Sequence, residues 1–229
     1  MSTYVLIHGA GDVGWYWHLV EAELRDRGHD VIAPDLPADD DAASLSDYAD
    51  VVVDAIGNRT DLIVVAHSFG GYTAPIVCDR LPVDLLVLVA AMVPAPGESA
   101  SEMFANTGYA QPDQDDSSDL AVFYHDVEPA LAREALSKSR EQSMTPWNEP
   151  WPLAAWPDVP VRFVLGRNDR VFPASWQRRV VEDRLGIVPD ELDSGHCVAL
   201  SRPKELAALL ERFRKEAEAA SGEAPERAG

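Results

Sequence analysis

The chain has 229 residues, 46% of them hydrophobic, which is enough for one full core and at most two domains. Against 19 basic residues stand 39 acidic ones, a formal net charge of −20. Such a surface repels phosphate backbones and anionic lipid, so neither nucleic acid nor a membrane is expected as a partner.

Met1-Ser2-Thr3 runs straight into the apolar Tyr4–Ile7, with no basic n-region and no long h-region, so no signal peptide is expected. No apolar run approaches the roughly 18 residues of a membrane span. Cys78 and Cys197 fit neither a disulfide framework nor a metal pattern. They read as free thiols of a cytoplasmic protein.

Tyr4–Ile7 is the first expected strand and leads into His8-Gly9-Ala10-Gly11. An expected helix over Trp15–Arg27 ends at Gly28, and Asp30–Ala33 is the second strand. Ser44 opens the next helix, with Asp47 three residues on as the partner of a capping box and Gly57 as its stop. Leu62–Ala66 is the third strand, and His67-Ser68-Phe69-Gly70-Gly71 turns from it into a helix over Phe69–Leu81. Leu85–Ala90 is the fourth strand. Val161–Leu165 and Val188–Leu192 are the fifth and sixth, separated by a helix over Ala174–Leu185 and followed by one over Pro203–Ala220. These strands are Val/Ile/Leu-rich with little polar alternation, as in a parallel sheet covered on both faces. The alternation predicts an α/β fold, a six-stranded, mainly parallel, doubly wound sheet with right-handed crossovers.

Residues 95–157 interrupt that rhythm. They are rich in proline, acids and aromatics, with one helical stretch at Glu128–Gln142 and no clear strand. An inserted cap is expected there, dividing the core into 1–94 and 158–220. The end of the chain, 221–229, has no apolar period and reads as a flexible tail.

A serine at the apex of a strand–turn–helix has the form of a nucleophile elbow. The strained turn demands tiny side chains two residues before and after, here Ala66 and Gly70. A serine nucleophile needs a base, and the base needs an orienting acid. In an open α/β sheet these groups belong in loops that follow strands. Asp169 follows the fifth strand and His196 the sixth, so Ser68, Asp169 and His196 form the candidate catalytic set, in the order serine, acid, histidine. The reversal of strand order places the loop after the first strand beside the elbow. The amides of Ala10 and Phe69 are then the candidate oxyanion donors, and His8 a support of that loop. His18, His29 and His125 read as surface residues. Trp147, Trp151, Trp156 and Cys197 are candidates for the substrate pocket; for the tryptophans, packing of cap on core is the alternative.

The motifs His8-Gly9-Ala10, Gly14-Trp15-Tyr16-Trp17, Ala66-His67-Ser68-Phe69-Gly70-Gly71-Tyr72, Asn168-Asp169-Arg170-Val171-Phe172-Pro173 and Gly195-His196-Cys197 resemble the α/β-hydrolase superfamily. Within it the chain is most similar to the small plant methylesterases and hydroxynitrile lyases and their bacterial relatives. The resemblance implies the α/β-hydrolase fold and a serine esterase acting on small hydrophobic or aromatic esters through an acyl-enzyme, with no cofactor and no metal. Lyases of this type carry a lysine at the position of Cys197 and a threonine at that of Gly9, and both are absent here. A lyase and a slow-turnover ligand-binding receptor remain the alternatives on this fold, as does a thioester or amide substrate for the same chemistry. The oligomeric state, a homodimer included, stays open.

Overall fold

The computed structural model describes residues 1–113 and 117–222. Six strands form one sheet: β1 (Thr3–Ile7), β2 (Asp30–Ile32), β3 (Leu62–His67), β4 (Leu85–Val89), β5 (Val161–Gly166) and β6 (Asp190–Leu192). Their order is β2-β1-β3-β4-β5-β6 and every pairing is parallel. Strand order reverses between β1 and β3, which run in register from Thr3 against Leu62 to Ile7 against Ala66. The carboxyl ends of these two strands therefore finish side by side, which is where ligands gather in an open α/β sheet.

Both faces of the sheet are buried, and successive residues along a strand serve opposite layers. Val5, Ile7, Val64 and Ala66 pack with Tyr48, Val52 and Tyr72 on one face. Tyr4, Leu6, Ile63 and Val65 pack with Leu24, Leu206 and Phe213 on the other. The first face is covered by α2 (Leu45–Ile56), α3 (Gly70–Arg80) and α8 (Ala174–Leu185), the second by α1 (His18–Asp26) and α10 (Pro203–Gly222). The expected capping box forms at Ser44 and Asp47. A 3₁₀ turn at Gly14–Trp17 precedes α1, where a single helix was expected. A short α9 (Val198–Ser201) precedes α10, which opens at Pro203, where a missing N–H costs nothing.

β6 is shorter than expected. Val188 is 89% exposed, and only Asp190–Leu192 finds a partner strand. An edge strand has neighbours on one side only, so little holds it beyond that three-residue register.

The inserted segment contributes α4 (Ala100–Asn106), α5 (Asp119–Val122), α6 (Pro129–Lys138) and α7 (Met144–Asn148), and no strand among its described residues. α6 starts where expected, with the Glu128 carboxylate accepting from the amides of Ala130 and Leu131, but ends at Lys138. The backbone beyond it turns to the core instead, Arg140 N–H bonding Gly11 O at 2.7 Å and Ser143 N–H bonding Ala38 O at 2.7 Å. The segment's base is anchored by a half-buried ion pair, Arg184 with Glu98 at 2.5 Å. Of the tail expected over 221–229, residues 223–229 lie outside the described residues; the backbone of 221 and 222 continues α10.

Candidate active site

Ser68 stands between β3 and α3 with φ +50°. A β-substituted residue in the left-handed region stores roughly 1–3 kcal/mol of strain, so its surroundings must enforce it. They do so through backbone bonds. Ser68 O accepts from Met92 N–H (2.9 Å) and Gly71 N–H (3.1 Å), and Ser68 N–H donates to Val89 O (3.3 Å). Small residues allow the close fit. A Cβ at Gly70 would come 2.7 Å from His8 O, and one at Gly71 would overlap Met92 O. The methyl of Ala66, where the elbow pattern has glycine, sits fully buried in the core on the α3 face.

The structure brings the three expected side chains into one chain of contacts. His196 Nε2 lies 3.2 Å from Ser68 Oγ, and His196 Nδ1 lies 2.9 Å from Asp169 Oδ2. His196 and Asp169 are both buried. Asp169 is aimed by its own loop: Oδ1 accepts from the amides of Val171 (2.7 Å) and Phe172 (2.9 Å), and Oδ2 also accepts from Gln177 Nε2 (3.2 Å). Phe172 and Phe123 set their rings edge-on to His196 at 5.0 and 5.7 Å.

The loop after β1 lies against the elbow, as the strand order requires. A Cβ at Gly9 would stand 2.9 Å from Ser68 Cβ. The Ala10 and Phe69 amides, the expected oxyanion donors, are taken up by no hydrogen bond among the described residues. His8 braces this loop. Its Nδ1 donates to Gly9 O (2.8 Å) and its Nε2 accepts from Leu36 N–H (2.9 Å), which requires a neutral ring. Burial lowers its pKa to about 4 in keeping with that role. His67, next to the serine in sequence, points elsewhere. It stacks on Tyr16 and donates through Nε2 to His196 O at 3.1 Å, and burial drives its pKa well below the usual imidazole range. His29, expected at the surface, is buried against Tyr4 and bonds Glu211 at 2.9 Å.

Ser68, His196 and Ala10 open onto a cavity of about 610 Å³, the size of a drug-like ligand site. Trp147 and Cys197 line it. Trp151 and Trp156 do not, and correct the sequence expectation. Trp151 is buried below the cap with its indole N–H on Tyr72 O (3.1 Å); Trp156 bonds Pro94 O (3.0 Å), and the two rings pack together. Each has an indole N–H that found a backbone carbonyl at the seam between cap and core, so their rings serve packing. The apolar wall is made instead by Phe104, Tyr109, Trp147 and Phe172. Phe172 was findable, since it follows β5 by the same rule that singled out Asp169. Asp12, after β1, was findable likewise. It lines the cavity near His196, and burial raises its carboxyl pKa to about 7, partly opposed by its bond from Val13 N–H. Burial also raises the Cys197 thiol, keeping it neutral beside the base.

A buried acid–histidine–serine chain beside free backbone amides, at the strand ends of a doubly wound sheet, defines a hydrolase-like site. The family model for the alpha/beta hydrolase family matches residues 4–209, and the chain belongs to that family. Methylesterase 7 of Arabidopsis thaliana is 27% identical over 246 aligned residues, spanning 91% of this chain and 95% of that protein. The crystal structure of polyneuridine aldehyde esterase superposes with a TM-score of 0.80 at 19% identity, covering 93% of this chain and 99% of that one. A pyrethroid hydrolase from Sphingobium faniae JZ-2 superposes at 0.76 and 22% identity, covering 93% and 97%. At these identities the two structures bear on the fold alone.

Proposed function

We propose that the protein is a serine carboxylesterase for small hydrophobic or aromatic esters. The observation that carries this is the contact chain Ser68 Oγ–His196 Nε2–His196 Nδ1–Asp169 Oδ2, at 3.2 and 2.9 Å, on the wall of an aromatic-lined cavity. The methylesterase name of the Arabidopsis relative supports the choice of ester.

His196 Nε2 takes the Ser68 proton as Oγ attacks the ester carbonyl. Asp169 holds the imidazole by its Nδ1–H and stabilises the imidazolium. The Ala10 and Phe69 amides receive the developing oxyanion; one such donor is typically worth about 2.7–4 kcal/mol of barrier. The alcohol leaves with the proton from Nε2, and the acyl group stays on Oγ. Water, deprotonated by the same nitrogen, releases the acid and restores the serine. Trp147, with Phe104, Tyr109 and Phe172, offers the apolar walls for the acyl or alcohol group.

A cyanohydrin lyase is disfavoured on two grounds. The space at Gly9, 2.9 Å from Ser68 Cβ at the Cβ position, excludes a threonine without movement of the elbow. The neutral thiol of Cys197 offers no positive charge to a leaving anion.

The test is hydrolysis of p-nitrophenyl and methyl esters by wild type and Ser68→Ala. Turnover should fall at least 10³-fold in the variant, the scale of losing a nucleophile that acts with its base. Equal turnover in both would remove Ser68 from the chemistry.

A further inference from the structure

The geometry points to His125 and Asp126 of the cap as positioning residues that hold the acid and base loops at their working separation; this rests on the esterase reading above. The two bonds they make land one residue before each catalytic candidate. Gly195 N–H donates to Asp126 Oδ2 at 2.6 Å, immediately before His196. His125 Nε2 donates to Asn168 O at 3.0 Å, immediately before Asp169. Beneath this bridge the loops touch each other, Asn168 N–H bonding Ser194 O at 3.0 Å and Asn168 Nδ2 bonding Asp193 Oδ1 at 2.8 Å.

Three further observations bear on why a bridge is needed and why it is specific. First, β6 is a three-residue edge strand, so the sheet alone gives the base loop little support. Second, Gly195 is shaped for the clamp: a Cβ there would lie 2.6 Å from both Asp126 Oδ1 and His125 Nε2, so only glycine admits the cap this close. Third, the second oxygen of Asp126 is buried with no hydrogen-bond partner among the described residues. A carboxylate placed at that cost, with its one bond on the amide beside the base, is poor general glue for cap and core. Phe123, two residues before His125, packs its ring on His196, so one short run of the cap reaches the base from two sides. Neither His125 nor Asp126 lines the cavity, so neither touches substrate directly.

The test compares Asp126→Ala, Asp126→Asn and His125→Ala with wild type in p-nitrophenyl ester hydrolysis, together with the rate at which a serine-directed phosphonate labels Ser68. Asparagine keeps an acceptor for Gly195 N–H; alanine removes it. Asp126→Ala should lower kcat about tenfold or more with KM within twofold, and slow Ser68 labelling in parallel. Asp126→Asn should recover to within about threefold of wild type. The proposal is overturned if Asp126→Ala leaves kcat and labelling unchanged, if only KM or the melting temperature moves, or if asparagine is no better than alanine. If Asp126→Ala does not fold, His125→Ala carries the same test: unchanged kcat and labelling in it overturn the proposal, and a fall in both supports it. Should wild type hydrolyse no ester, the esterase reading fails, and the labelling rate alone still decides the clamp, because labelling needs only the serine and its base.

Discussion

The two halves of the candidate site are built differently. Ser68 and Ala10 are held by close packing of main chain: the loop after β1, the elbow and the segment after β4 at Met92 interlock through Gly9, Gly70 and Gly71. Asp169 and His196 are aimed by individual hydrogen bonds: the Val171 and Phe172 amides and the Gln177 side chain donate to the acid, and Asp126 accepts from the amide before the base. The first half is rigid because there is no room, and it should fail on adding a methyl group. The second is close-packed at Gly166 and Gly195 as well, but its side chains are directed by particular donors and acceptors, and it should fail on the loss of a bond even where size is kept. The division follows position in the sheet. β1 and β3 are central and fully paired, whereas β6 is a short edge.

Gly71→Ala breaks the comparison most severely. Its Cβ would overlap the Met92 carbonyl, whose own N–H is bonded to Ser68 O. The expected loss is about 3 kcal/mol or more, at the upper end for overpacking, read by urea denaturation. A loss below about 1 kcal/mol would mean the elbow is looser than the contacts imply. Gln177→Leu probes the other half. Leucine fills similar space but withdraws the donor from both Asp169 Oδ2 and Phe172 O. A stability loss of about 1–2 kcal/mol is expected, with kcat reduced about tenfold and KM nearly constant. An unaltered kcat would show that the Val171 and Phe172 amides suffice to aim the acid.

The smallest effect is expected at Asp12, on the tight loop but facing the base. Its carboxyl has a folded-state pKa of about 7 against an ordinary value of 3.8. Between those values the folded chain keeps a proton that the unfolded chain has lost. Stability from the protonated form is therefore complete below about pH 4 and declines as pH rises through 7. Asp12→Asn, which cannot ionise, should match wild type near pH 4 and exceed it at pH 8 by on the order of 1 kcal/mol, with the open cavity screening much of the burial cost. Urea titrations at both pH values check this; the same gap at both would refute the burial of the charge.

Much of this was legible in the sequence because it concerns strand ends. The apolar runs, the Gly-rich turns and the order serine, acid, histidine mark which loops face one edge of a parallel sheet. That rule reached Ser68, Asp169, His196 and the loop at Ala10. It also covered Asp12 and Phe172, which a fuller use of it would have found. The cap follows no such rule. Trp147, Trp151 and Trp156 lie within ten residues and are chemically identical, yet only Trp147 reaches the cavity. Nothing in their spacing distinguishes a ring over the serine from a ring whose N–H finds Tyr72 O. His125 reads as a surface histidine until the fold brings Asn168 beside it.

The sequence by itself determined the parallel sheet, its order of elements and the loops that carry the chemistry. Those follow from local periodicity and from the few ways a right-handed α/β chain can wind. Only the tertiary structure decided which cap residues line the cavity, which serve as packing, and which reach over to the loops before Asp169 and His196. Such contacts join residues far apart in the chain, with partners that are backbone atoms, and a backbone carbonyl or amide leaves no mark on the sequence that a distant side chain must match.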